Sequence, residues 1–252
     1  MNIVIPSYKR SYDLAGKDYF YTARYCVPES QKDDYANTVG SDRLVVIPDN
    51  RDGDIVKKRN WILENIERPL IMIDDDVKGI GYFESRNGTR NGDHLQKIMD
   101  PELFIEFCKQ SFVVCEELGA RMWGVNQNTD AMSYREYQPL SLSYTILGPF
   151  QGHLKHDLKF DERVGTKDDY DMSLQQLQKY HMIMRWNKYH YICAHGDNQG
   201  GIVSYRSKAR EIEYCEAIME KWGKKIIKYR IPPQKMTDLL NAKKVNIPID
   251  GV

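Results

Sequence analysis

The sequence predicts an α/β fold, a mostly parallel sheet flanked by helices, and three observations carry that expectation. Short runs of β-branched and apolar residues recur at 2–5 (NIVI), 44–47 (LVVI) and 70–73 (LIMI). They lack the in/out alternation of a half-exposed strand, so they read as strands buried on both faces. Helical stretches separate them, as parallel connections require. Each run is stopped by a polar or proline-bearing turn, Pro6-Ser7, Pro48-Asp49 and Asp74-Asp75-Asp76, and in open α/β sheets ligands bind at that carboxyl edge.

The remaining elements follow in order. Ile55, Ile62, Leu63 and Ile66 share one face of a helix expected over residues 55–66. The segment 84–93 (ESRNGTRNGD) reads as a loop. Asp100 and Pro101 suit the N-cap and first position of a helix ending near Leu118, with Gly119 as its stop. Residues 123–152 carry strands and loops with weaker periodicity. Residues 170–180 read as helix, 190–194 as a short strand, and 208–223 as a helix stopped by Gly223. The tail from Ile231, with Pro232, Pro233 and Pro248, reads as irregular.

The 252 residues, 41% of them apolar, suffice for a large α/β domain. Lys and Arg number 36, as do Asp and Glu, which argues against a chain built mainly to coat nucleic acid. The balance is uneven: residues 179–252 hold 14 basic against 7 acidic side chains. That excess suits either a solvated helical surface or a polyanion-binding face. The 5 cysteines are widely spaced with no CxxC pair, against a disulfide framework or zinc knuckle. The chain opens on a strand with no leader-like run and no stretch long enough to span a membrane, so a soluble, cytoplasmic protein is expected.

Three segments carry chemistry. In IMIDDDV (residues 71–77) three adjacent carboxylates at a strand end repel one another unless a hard cation such as Mg²⁺ or Mn²⁺ neutralises them. In an extended chain Asp74 and Asp76 point to one side and Asp75 to the other. An acidic turn or helix cap is the plainer reading. In DERVGTKDDYDMSLQQL (161–177), Asp168, Asp169 and Asp171 precede a helix. They suit capping, or one of them suits a general base. In YICAHGDNQGGIVSYR (191–206), a strand ends at His195 before a glycine-bearing loop, which suits a metal ligand, a phosphate donor or a structural histidine.

Taken in order, these pieces resemble the GT-A fold glycosyltransferases. NIVIPSYKR resembles their first strand and nucleotide loop, and GDIVKKRNWIL (53–63) their glycine-to-Arg-Asn helix. IMIDDDV resembles the DxD metal motif, DDYDMSL (168–174) the EDxDLxL catalytic segment, and His195 the late metal-binding histidine. With IPSYKR, DDD and a compact chain, the similarity is greatest to the TET/JBP-associated glycosyltransferases of bacteriophages, whose expected acceptors are hydroxymethylated pyrimidines in DNA.

The resemblance implies a GT-A-like, Rossmann-like mixed sheet over residues 1–205, with a basic helix and tail, 206–252, packed on it. It implies a nucleoside-diphosphate sugar as donor, a UDP-sugar being expected, and Mn²⁺ or Mg²⁺ as cofactor. Pro6, Ser7, Tyr8 and Arg10 would line the nucleotide pocket, with Asp49 and Arg59 nearby. Asp74, Asp76 and His195 would hold the cation, and Asp75 would face the sugar or ribose. Lys9, Arg10 and Arg206 would neutralise phosphate, and Asp169 or Asp168 would act as base. One departure is that Asp168 stands where the family's pair has glutamate. Competing readings are the same chemistry on a carbohydrate or protein acceptor, a Mg²⁺-dependent nucleotidyltransferase, and a nucleic-acid-binding module with an acidic turn.

Overall fold

The computed structural model describes residues 1–85, 94–193 and 206–247. In chain order the elements are β1 (Asn2–Pro6), β2 (Arg24–Pro28), α1 (Lys32–Val39), β3 (Leu44–Ile47), α2 (Ile55–Asn65), β4 (Leu70–Ile73), β5 (Val77–Ser85), β6 (His94–Ile98), α3 (Pro101–Glu117), β7 (Met122–Asn126), β8 (Leu140–Ser141), β9 (Phe150–His153), α4 (Asp168–Tyr180), β10 (Met184–Cys193), α5 (Lys208–Trp222), β11 (Ile227–Lys228), α6 (Thr237–Leu240) and β12 (Lys244–Val245).

The main sheet runs β3-β2-β1-β4-β9-β7-β10-β5-β6, with β8 added against β10. From β3 to β4 every pairing is parallel. Beyond β4 the sheet is mixed: β9 is antiparallel to β4 and β7, β10 is parallel to β7, and β5 is antiparallel to β10 and β6. Successive strand residues point to opposite faces, and both faces are covered, so β1 from Ile3 onward and all of β4 are apolar. Ile3, Ile5, Ile71 and Ile73 enter one core with Phe104, Cys108 and Phe112 of α3. Val4, Leu70 and Met72 enter the other with Val56, Ile62 and Leu63 of α2 and with Met172 and Leu177 of α4. A third cluster joins α4 to the C-terminal part through Tyr170, Leu174, Cys215, Ile218, Tyr229 and Leu239.

The predicted stops hold their helices. The Asp100 carboxylate accepts from the Glu102 N–H at 2.9 Å, and Gly119 and Gly223 take φ of +83° and +81°, a region glycine enters without strain. The tail is more regular than expected. Ile227 pairs with Val245 and Lys228 with Lys244, and α6 lies between. Such two-residue strands leave no periodic signal. No described helix is long and apolar enough to cross a membrane.

Candidate active site

At the carboxyl edge of β1 and β4 lies a cavity of about 790 Å³, lined by residues 6–10, by Pro28, Ser30 and Asp49, by Asp52–Ile55 and Lys58, by Asp74–Asp76, and by Arg206. The volume falls in the range of small-molecule sites. Its first wall is the loop after β1. Ser7 Oγ donates to Asp75 Oδ2 at 2.5 Å and lies 2.6 Å from the Tyr35 hydroxyl. That hydroxyl also accepts from the Arg10 N–H. Lys9 adopts φ of +54°, and its N–H donates to the Gln31 side chain. Lys58, buried on α2, donates to the Ser7 carbonyl at 2.5 Å and pairs with Asp52 at 3.3 Å. The Tyr8 ring faces both Lys9 and Lys58, 5.1 and 5.6 Å from its centre. Asp49 accepts from the Ser30 N–H and hydroxyl.

The three aspartates form a turn, not an extended strand: the Val77 N–H donates to the Asp74 carbonyl at 3.2 Å and the Asp74 N–H to the Pro149 carbonyl at 3.1 Å. Alternation therefore does not set their directions, yet Asp75 is the one that turns inward. It is buried, with one oxygen on Ser7 and the other 2.5 Å from the Arg10 guanidinium. Asp75, expected to face sugar or ribose, fastens the loop after β1 through Ser7 and Arg10. Arg10, expected as a phosphate ligand, is the other half of that buried pair. Asp76 has no ion-pair partner among the described residues. Burial, then Asp74 and Asp75, push its carboxyl up to about 6.

Arg59 is buried and does not line the cavity. Its guanidinium reaches three elements: Asp168 Oδ2 at 2.5 Å, Asp74 Oδ1 at 2.8 Å and the Gly148 carbonyl at 3.2 Å. It is a brace between the acidic turn, the segment before β9 and the start of α4, and was expected near the nucleotide pocket. Asp168 is thereby committed to an ion pair. Asp169 is partly exposed. It accepts N–H donors from Gly148 at 3.0 Å and Tyr170 at 2.7 Å. Burial raises both carboxyls, and Arg59 opposes the rise in each. Asp171 is structural: it is buried and accepts from Trp222, Lys221 and Gln175.

Behind the turn, the Tyr191 hydroxyl lies within electrostatic reach of Asp169, Asp74 and Asp76, and burial, the larger effect, raises its pKa with them. The Cys193 thiol is raised in the same way by burial, Asp76 and Asp74. On the far wall, buried Glu211 receives Lys167 at 2.6 Å, Thr166 at 2.9 Å and Arg206 Nε at 3.0 Å. Arg206 thus reaches the cavity from a buried anchor on α5.

Pro6, Ser7, Tyr8, Arg10, Asp49, Asp74, Asp75 and Asp76 therefore meet at one cavity, Arg59 and Asp168 lie behind it, and His195 is outside the described residues. Lys58, Tyr35 and Glu211 were not anticipated. For Lys58 a signal existed: with Ile55, Arg59 and Ile62 it falls at helical spacing on the apolar stripe, where a cation is unexpected unless paired.

The family model of the TET-associated glycosyltransferases matches residues 1–201. The chain belongs to that family. It is accordingly a glycosyltransferase, and its mixed sheet with flanking helices is the GT-A-like fold. Among solved structures, CMP:2-keto-3-deoxy-manno-octonic acid synthetase complexed with CTP is similar at 10% identity, covering 87% of this chain and 98% of its own, with a TM-score of 0.34. No curated protein matches the glycosyltransferase.

The donor set is compatible with a divalent cation. Among the described residues no group of three or more His, Cys, Asp or Glu forms a closed cage. Of the aspartates that line the cavity, Asp74 and Asp76 flank the buried Asp75 on the acidic turn and are themselves only half-buried. Hard cations that arrive with a diphosphate need only one or two protein carboxylates, because phosphate oxygens and water complete the shell.

Proposed function

We propose that this glycosyltransferase moves a sugar from a nucleoside-diphosphate sugar, a UDP-sugar in the first instance, to the hydroxyl of a 5-hydroxymethylpyrimidine in phage DNA. The observation that carries the donor half is the single cavity on which the nucleotide loop, Lys58, Arg206 and the outward carboxylates converge. Asp74 and Asp76, joined by His195, would hold Mn²⁺ or Mg²⁺, which supplies positive charge against the diphosphate leaving group. The chain's own cations act on the same group: Lys9, Lys58 and Arg206 face the cavity and favour charge that grows as the glycosidic bond breaks. The ring of Tyr8, steadied by two lysines, offers a flat surface to the donor base.

Asp169 is the base. Its two oxygens each accept one backbone N–H, which leaves lone pairs for the acceptor hydroxyl. Its raised pKa strengthens it for that task. The bond from the anomeric carbon to phosphate oxygen breaks with its electron pair leaving on the diphosphate. The acceptor oxygen forms the new bond, and its proton passes to Asp169. Asp168 and Arg59 position the start of α4 and the acidic turn.

The test is an incubation with UDP-sugars, Mn²⁺ and a hydroxymethylcytosine oligonucleotide, read by mass spectrometry. A sugar-sized mass gain that excess chelator removes is expected. Transfer to a glycan or protein with none to DNA would move the reading to the alternative acceptors, which the balanced net charge allows. Release of pyrophosphate, not nucleoside diphosphate, would overturn it.

A further inference from the structure

β10 carries a cation that the donor chemistry does not use. Arg185 on β10 is partly buried, and burial pushes its pKa down to about 10. No described carboxylate pairs with it. Its neighbours are the Asn187 side-chain oxygen, 3.0 Å from Nε, and the Tyr144 ring, whose centre lies 4.4 Å from the guanidinium carbon. A desolvated guanidinium without a counter-ion is unfavourable in the free protein, and the missing partner is an anion.

Tyr144 belongs to the segment that runs on to Gly148, whose N–H donates to Asp169. Tyr144 is 44% exposed although its segment is fixed on both sides. The Leu142 carbonyl accepts from the Ile183 N–H, Ile146 exchanges two hydrogen bonds with Ser173 on α4, and the Gly148 N–H holds Asp169. One face of the Tyr144 ring lies on Arg185. A rigid, solvent-facing ring backed by a cation is suited to stacking on a planar base. A neutral carbohydrate acceptor would leave the cation unmatched.

We propose that Tyr144 and Arg185 form the acceptor subsite of the glycosyltransferase for a nucleic-acid strand, with Tyr144 stacking on a base and Arg185 taking a backbone phosphate. This rests on the DNA-acceptor reading above and assigns residues to it.

Fluorescence anisotropy with labelled single-stranded and duplex DNA oligonucleotides, at several salt concentrations, tests the assignment. Tyr144→Ala should weaken binding about tenfold and Tyr144→Phe should restore it, since the ring carries the contact. Arg185→Gln should weaken binding and lower the slope of log affinity against log salt by about one. UDP with Mn²⁺, followed by thermal shift, reads the donor site separately and should stabilise Tyr144→Ala as it does the parent. Parent protein that binds UDP but neither oligonucleotide overturns both the subsite and the DNA acceptor. Parent protein that binds DNA while Tyr144→Ala and Arg185→Gln match it in affinity and salt slope overturns the subsite alone. Parent protein that binds DNA with the expected variant losses, but not UDP, supports the subsite and overturns the donor reading.

Discussion

Replacing Arg59 by methionine removes the guanidinium that joins the acidic turn to α4. The volume is nearly kept, so the effect is electrostatic. Arg59 is buried, as is its partner Asp168 at 2.5 Å, and Asp74 at 2.8 Å is partly so. Removing one member of a buried pair leaves the other charged and unmatched, which costs about 3–5 kcal/mol. For a chain of this size each kcal/mol lowers the melting temperature by about 2–4 °C, so a fall of roughly 6–20 °C is expected. The sign with pH is also fixed. Burial already raises the Asp168 carboxyl and Arg59 opposes it. Without Arg59 that carboxyl rises further, and the native variant binds more protons than the native parent. Its deficit therefore grows as pH rises and shrinks as pH falls, by up to about 1.4 kcal/mol per unit. Thermal melts of both proteins at pH 5.5 and 7.5 measure this. Arg59→Lys should rescue little, since an ammonium cannot reproduce the planar fork across three acceptors. A deficit under about 1 kcal/mol, or one independent of pH, would refute the brace.

Other outcomes follow from the same geometry. Asp76→Ala should leave the melting temperature within a few degrees, because no described ion pair is lost, while abolishing sugar transfer and metal-dependent donor hydrolysis; a chelator titration alongside checks the link to metal. Asp75→Asn should instead destabilise the fold by about 2 kcal/mol or more, measured by urea unfolding, since it leaves Arg10 buried without its carboxylate. Glu211→Gln should weaken donor binding and lower stability together, because it leaves Lys167 buried and releases Arg206. Cys193 should alkylate slowly at pH 8, as burial and two aspartates hold its thiol protonated.

Most of the parallel half was legible because its strands are apolar runs, although only β4 among them is buried throughout. In β3, the edge strand, Val45 and Ile47 are buried while Leu44 and Val46 are half-buried, so the expected burial on both faces does not hold there. LVVI and LIMI are unbroken apolar runs, and each became a strand at the expected residues. β2 (RYCVP) was not found, since an arginine and a tyrosine disguise a run whose last four residues are buried. The antiparallel half was obscured because β8, β9 and the end of β7 are short and owe their pairing to distant partners. At the site, residue types were readable but roles were not. Nothing local distinguishes Asp75 from Asp76. The difference arises from Ser7 and Arg10, 68 and 65 positions away. Arg59 likewise became a brace because folding brings Asp168 to it across 109 positions.

The central claim is that the cavity under Asp74 and Asp76 holds a nucleoside-diphosphate sugar together with a divalent cation. Thermal shift of the protein with a panel of nucleoside-diphosphate sugars, with and without Mn²⁺, tests it most directly, because a ligand that binds only the folded chain raises its melting temperature by mass action. A rise that needs sugar nucleotide and Mn²⁺ together, and disappears in Asp76→Ala, is the predicted result. A rise that persists in excess chelator or in Asp76→Ala, or no rise with any donor, would contradict it.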